Sequence, residues 1–242
     1  MGLAADLRTL LGLARGMPRQ GPHAQRLERF YAGQAADYDR FRARLLHGRD
    51  ATIAHLCPEP GMSVAELGCG TGRNLQPLVE GPRAPRRVWA VDLCPSLLGV
   101  ARQRINEAGW HQVQVVQADA AAWQAPAPLD GVLCSYSLTM MPDWSAVLDH
   151  AIGQLRRGGR LAVVDFTVID AQVAAMARVP AQPAPLRWLW RRWFAHDGVH
   201  PDPGMLPALA GRLRPRWLTV ERARLPWLPL RAAWFGFVGE KP

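Results

Sequence analysis

Lysine is nearly absent from this chain: all but one of its 29 basic residues are arginine. A ratio of that kind can reflect genome composition, so it excludes little. No run of about eighteen apolar residues occurs, and a membrane-spanning helix is therefore not expected. The N-terminus, Met1 to Arg19, mixes leucines with Asp6, Arg8 and Arg15. It reads as an amphipathic segment over residues 1–22, with neither the apolar stretch nor the cleavage site of a leader peptide. The four cysteines, Cys57, Cys69, Cys94 and Cys134, show no metal-ligand spacing. Reduced thiols of a cytoplasmic protein are the natural reading, with no metal site. Neither an internal repeat nor a low-complexity linker divides the 242 residues, which suit one α/β domain with elaborations.

What the chain does have is Ser63 to Leu75, S-V-A-E-L-G-C-G-T-G-R-N-L. Apolar Val64, Ala65 and Leu67 lead into Gly68, Gly70 and Gly72, and a helix start follows. This is a buried strand ending in a turn too tight for side chains, where a ligand can lie against the backbone. A dinucleotide fold asks for G-x-G-x-x-G with pyrophosphate on the helix N-terminus. Here the spacing is G-x-G-x-G, and Glu66 precedes it where it would repel phosphate. A carboxylate there suits a cationic ligand bearing an amino acid.

The continuation supplies two more acids. Arg87 to Asp92 reads as the second strand, and an acid at such a tip accepts hydrogen bonds from ribose hydroxyls. Pro95 starts a helix over Leu97 to Asn106. Gln112 to Gln117 reads as the third strand, followed by Asp119. Ligands of open α/β sheets lie at the carboxyl ends of the strands, where Glu66, Asp92 and Asp119 would sit together.

The pattern E-L-G-C-G-T-G resembles the first motif of class I S-adenosylmethionine methyltransferases. The resemblance implies S-adenosyl-L-methionine as cofactor, with the glycines flanking its methionine part and Glu66 helping to hold the amino end. Asp119 matches the position that accepts the adenine amino group. The implied cofactor set is Tyr38, Glu66, Gly68, Cys69, Gly70, Gly72, Asp92, Leu93, Asp119, Ala120 and Ser135. The expected fold is a doubly wound, mostly parallel seven-stranded sheet with an N-terminal helical extension and an antiparallel last strand. Residues 23–60 would form a helical cap, 61–166 the cofactor core, and 167–242 the substrate- and membrane-facing part. Helical periodicity runs from His23 to Leu56. The first crossover helix is expected over Arg73 to Val79, strand four over Asp130 to Tyr136, and strand five over Arg160 to Phe166. Between the last two, a helix should begin at Asp143 or Ser145 and end at Gly158-Gly159. Val168 to Phe194 reads as a Pro-interrupted helical stretch, His196 to Pro207 as a loop, and Arg216 to Leu225 and Ala232 to Val238 as the last two strands.

The strand-four exit, S-Y-S-L-T-M-M-P-D-W, narrows the resemblance. With F-Y-A-G-Q-A-A-D-Y-D and L-L-H-G-R-D upstream and W-F-A-H-D-G-V-H-P downstream, the chain is similar to bacterial diacylglyceryl-homoserine N-methyltransferases. That implies direct methyl transfer to a lipid amine, completing a betaine lipid whose homoserine moiety a partner enzyme attaches first. Candidate catalytic residues are Tyr136 and Tyr31, with Trp144, as aromatic partners for a quaternary product. Asp165 and His47 are candidate proton acceptors or orienting groups, and His200 and Arg49 could meet an acceptor anion. The alternatives are phosphatidylethanolamine or a quinone precursor as acceptor, and, in another class, a nucleic-acid-binding protein that retains the fold. Motifs of the Asn-Pro-Pro-Tyr type are absent, so no nucleic acid is expected.

Finally, ten arginines between Arg178 and Arg231 face only Asp197, Asp202 and Glu221, within a net charge of +9. Trp188, Trp190, Trp193, Trp217 and Trp227 are interleaved among them. That composition suits an anionic lipid interface first, with a solvated helix face over core tryptophans and a nucleic-acid surface as the alternatives, and the chain is expected to be cytoplasmic and peripheral to the inner membrane face.

Overall fold

The computed structural model describes residues 16–33, 35, 39, 45–56, 59–80, 83–225 and 230–242. Tyr38, Cys57, Trp227 and most of the N-terminal segment lie outside them. The elements in chain order are α1 (His23–Tyr31), α2 (Arg49–Leu56), β1 (Ser63–Leu67), α3 (Leu75–Val79), β2 (Arg87–Asp92) and α4 (Pro95–Ala108). There follow β3 (Val113–Gln117), β4 (Leu129–Ser135), a 3₁₀ turn (Leu138–Met140), α5 (Trp144–Gln154) and β5 (Leu155–Thr167). The chain closes with α6 (Ala171–Ala177), α7 (Ala184–His196), α8 (Met205–Arg212), β6 (Arg214–Arg224) and β7 (Arg231–Glu240).

The strands form one seven-stranded sheet in the order β3-β2-β1-β4-β5-β7-β6. The first five pair in parallel, and β7 runs antiparallel between β5 and β6. Strand order reverses between β1 and β4, so a crevice opens at their carboxyl ends. Period-two alternation divides the side chains between two cores. Ala65, Leu67, Trp89, Val91, Val132 and Cys134 pack toward Val147 and Leu148 of α5 and Leu206 of α8. Val64, Val88, Ala90 and Leu133 pack toward Ile53 of α2, Leu75 of α3 and Leu98 of α4. A third cluster of Tyr136, Val164, Phe166, Trp190, Phe194 and Trp234 seats α7 beyond the sheet's end. Trp190 and Phe194 each contribute roughly 1.5–3 kcal/mol by burial there.

Several expected boundaries shift for physical reasons. The helical stretch from His23 to Leu56 is not continuous: α1 ends at Tyr31, and Gly48, at φ 75°, precedes α2. The helix expected to end at Gly158-Gly159 stops at Gln154, and those glycines lie inside β5. Gly158, at φ 73°, donates its N–H to the Lys241 carbonyl at 2.9 Å, while Lys241 donates to Gly159 at 2.8 Å. Paired glycines that resemble a helix stop here shape an irregular strand start. The prolines taken to mark a loop through Pro207 also mislead, because α8 begins at Met205 with Pro207 in its first turn. No intrahelical N–H bond is needed there.

Candidate active site

The turn after β1 is strapped to β2 by the N–H groups of Gly68 and Cys69, which both donate to the Val91 carbonyl at 2.8 and 3.0 Å. Gly68 has φ 76°, and a Cβ there would stand 2.5 Å from the Ser137 Cβ, so only glycine fits. Gly72 acts differently: a Cβ there would meet Leu75 at 2.8 Å and Ala101 at 3.3 Å. Its role is to let α3 approach α4, and it does not line the cleft. Asp92 organises the next layer. Its carboxylate accepts Gly70 N–H on Oδ2 and Cys94 N–H on Oδ1, both at 2.8 Å. Each oxygen keeps a lone pair for a further donor. Burial pushes the Asp92 pKa up against these bonds, so a ligand offering hydroxyls or positive charge would relieve it.

These groups border a cleft of about 430 Å³ at the carboxyl ends of β1, β2 and β4. It brings together Tyr31, Gly68, Cys69, Gly70, Asp92, Leu93, Asp119, Ala120, Ser135, Tyr136 and Arg49. Ser135 Oγ is buried without a partner. Tyr31 donates its hydroxyl to Met140 Sδ at 3.2 Å, which ties α1 to the β4 exit. Tyr136 stands at φ 53°, a left-handed conformation that costs a bulky residue roughly 1–2 kcal/mol. Three contacts hold it: its N–H to Val164 O at 2.7 Å, its hydroxyl to His47 O at 2.7 Å, and its ring edge-on to Phe166. Burial raises its phenol pKa well above the ordinary value, so it is no proton acceptor at neutral pH.

Six expected site residues stand outside the cleft: Trp144 and His200 line an adjoining cavity, and four others lie elsewhere. Glu66 is fully buried one position before the end of β1, facing the α2–α4 layer shared by Val64. Its Oε1 accepts Asn74 Nδ2 at 2.6 Å, Oε2 has no partner, and burial lifts its pKa to about 8. Asn74, not Glu66, lines the cleft. Asp165 lies behind the β4 exit, fully buried. It accepts Thr139 N–H at 3.1 Å, Thr139 Oγ1–H at 2.6 Å and Phe166 N–H at 2.8 Å. Burial pushes its pKa to about 6. This carboxylate ties two elements together; it is not a proton acceptor at the cleft. His47 contributes its carbonyl to Tyr136, with Nε2 buried and unpartnered. Gly72 is the fourth, for the packing reason above, and Tyr38 lies outside the described residues.

The cleft also gathers residues that the sequence did not single out. Asp39 accepts Thr71 Oγ1–H at 2.6 Å and pairs with Arg104, fastening the glycine turn to α4. His23 joins because Glu28 anchors α1 over the start of α4, accepting Ser96 N–H at 3.1 Å and Cys94 Sγ–H at 3.2 Å. An acid six residues into a helix carries no sequence sign that it reaches another helix's N-terminus. Burial, then neighbouring Arg26, lowers the His23 pKa, and its Nδ1 is buried without a partner. A second cavity of about 380 Å³ adjoins the cleft through His23, Met140, Met141 and Pro142. Arg26, Arg191, His200 and Trp144 line it, and Trp144 Nε1 donates to Asp202 at 3.2 Å.

The residues present fit a nucleoside ligand bearing a cationic amino acid. Asp92 has acceptor capacity to spare, Ser135 Oγ is unsatisfied, and Asp119 stands beyond the next strand. Gly68 to Gly70 offer bare backbone, and Asn74 relays the buried Glu66.

Residues 64–159 match the family model described as a methyltransferase domain. The chain is 34% identical over 112 residues to the trans-aconitate 2-methyltransferase of Azoarcus sp. (strain BH72), covering 46% of this chain and 42% of that protein. It is 36% identical over 114 residues to the ubiquinone biosynthesis O-methyltransferase of Xylella fastidiosa (strain 9a5c), covering 46% and 44%. The matched stretch thus spans less than half the length of either relative. Among solved structures, the N-methyltransferase NodS of Bradyrhizobium japonicum WM9, in complex with S-adenosyl-l-homocysteine, superposes with a TM-score of 0.65. That likeness, at 18% identity, covers 92% of this chain and all of the other, and it speaks to the fold. Sheet order and glycine turn give the chain the class I methyltransferase fold, and the stretch that matches a methyltransferase domain, residues 64–159, carries the cleft's glycine turn and strand tips.

Proposed function

We propose that the chain methylates the amino group of a membrane lipid, with diacylglyceryl-homoserine as first choice. When bound, S-adenosylmethionine supplies an electrophilic methyl group on a sulfonium. The chain's own task is to bind, orient and desolvate the acceptor. One observation carries the amine reading: at the β4 exit the cleft wall is Tyr31, Tyr136 and Met140, with both hydroxyls already engaged. The carboxylate behind them, Asp165, is fully buried and bonded to Thr139 and Phe166. A free amine brings its own lone pair, and aromatic neighbours stabilise the cationic product by about 0.5–2 kcal/mol each.

A second reading, methylation of a quinone precursor, draws support from the name of the Xylella relative and from His23. A phenol needs a proton acceptor, and a neutral imidazole with an unpartnered nitrogen lines the cleft. The two separate in one assay, in which purified chain and S-adenosylmethionine are given either diacylglyceryl-homoserine or a prenylated catechol, and products are identified by mass. The amine reading expects methylated homoserine lipid, with His23→Gln retaining most of the rate. Methylation of the catechol alone, lost by about 10²–10⁴-fold in His23→Gln, would establish the second reading instead.

A further inference from the structure

Among the described residues, the large exposed hydrophobics all fall on α7: Trp188 is 68% exposed, Trp193 49% and Leu189 36%. A soluble helix ordinarily turns such residues inward, and α7 does so on one side only, with Trp190 and Phe194 buried against the sheet. At about 100° per residue, Trp188, Arg192, Leu189 and Trp193 share the outward face and Arg191 flanks it, while half-buried Arg187 lies nearer Phe194. The sequence A-P-L-R-W-L-W-R-R-W-F-A-H contains no acid. Arg187 donates to the Gln182 carbonyl, which fixes the helix start, and Arg191 and Arg192 make no ion pair among the described residues.

We infer that this face of α7 docks on an anionic phospholipid bilayer, the tryptophans at headgroup level and the arginines against lipid phosphates. Charge selects the occupant, because a bare arginine pair beside exposed indoles complements a negatively charged, amphipathic surface. Continuity with the cleft gives docking a purpose. Arg191 lines both the groove along α7 and the cavity that opens through Met140 and Met141 into the cleft. An acceptor with its headgroup in the interface would therefore enter beside Arg191. The inference holds for either acceptor class proposed above.

The test is sedimentation of the full chain with vesicles of phosphatidylglycerol and phosphatidylcholine, against phosphatidylcholine alone, at low and high salt. Binding to the anionic vesicles is expected, weakened by salt. Arg191→Gln with Arg192→Gln should lower the partition coefficient roughly 25-fold, at about five-fold per charge. Trp188→Ser with Trp193→Ser should lower it on anionic vesicles as well. Calorimetric binding of S-adenosylhomocysteine, unchanged in both variants, shows that they are folded and separates this inference from the cofactor assignment. Equal vesicle binding by the wild type and both variants would overturn it. So would tight, salt-sensitive binding to an RNA oligonucleotide without vesicle binding, or a dimer in vesicle-free solution that the tryptophan variant abolishes.

Discussion

At the scale of single residues, the groups in and behind the cleft have their charge decided by their neighbours. Glu66 is the clearest case, because a carboxylate in a strand interior with one oxygen unpartnered is held neutral by burial. Its folded pKa of about 8 lies above its ordinary 4.5, so the folded chain without cofactor binds one more proton than the unfolded chain between those values. Stability from this group is present below the lower value and is lost as pH rises through the upper one. Glu66→Gln should thus melt like wild type near about pH 5 and at higher temperature near about pH 9. A variant no more stable than wild type under alkaline conditions would show that Glu66 ionises freely in the fold. Tyr136 makes a complementary point, since its positive φ is visible in no sequence pattern. Its importance was legible only as an aromatic residue in an exit loop.

Between elements, legibility followed periodicity. β2 has its expected bounds, and β3 and β4 shift by a single residue, because alternating apolar residues face two cores and leave little freedom of register. Legibility failed where glycine and proline served uses other than stopping a helix, at Gly158-Gly159 inside β5 and at Pro207 inside α8. It failed too where one side chain joins distant segments. Asp165, near the tip of β5, reads from its position alone as a proton acceptor or orienting group. The structure shows it clasping Thr139 in the turn after β4. Asp165→Ala should therefore cost about 3 kcal/mol in urea unfolding, the loss expected when buried donors are left unpaired. Asp165→Asn should leave the pH profile of the methylation rate in place. A stable Asp165→Asn protein with a displaced profile would return this residue to the chemistry.

For the whole molecule, the sheet order β3-β2-β1-β4-β5-β7-β6 is what lets acids at or just past the ends of three separate strands matter together. Glu66, Asp92 and Asp119 are far apart in sequence, yet parallel pairing of β1, β2 and β3 brings their carboxyl ends to one edge. That much could be read from strand patterns and acid spacing. The adjoining cavity could not, because it is assembled from α1, the β4 exit and α7, which no local pattern brings together. The asymmetry is physical: the cleft's glycine turn and strand tips are local features, whereas the helices beside them are placed by tertiary packing.

The central claim is that the bare turn and its strand-tip acids hold S-adenosylmethionine. Calorimetric titration with S-adenosylhomocysteine, of wild type and of Asp92→Ala, tests it most directly. One site per chain is predicted in the wild type, weakened by roughly 1–3 kcal/mol when Asp92 is lost. A wild type that takes up no ligand, or an Asp92→Ala protein with undiminished affinity, would contradict the account.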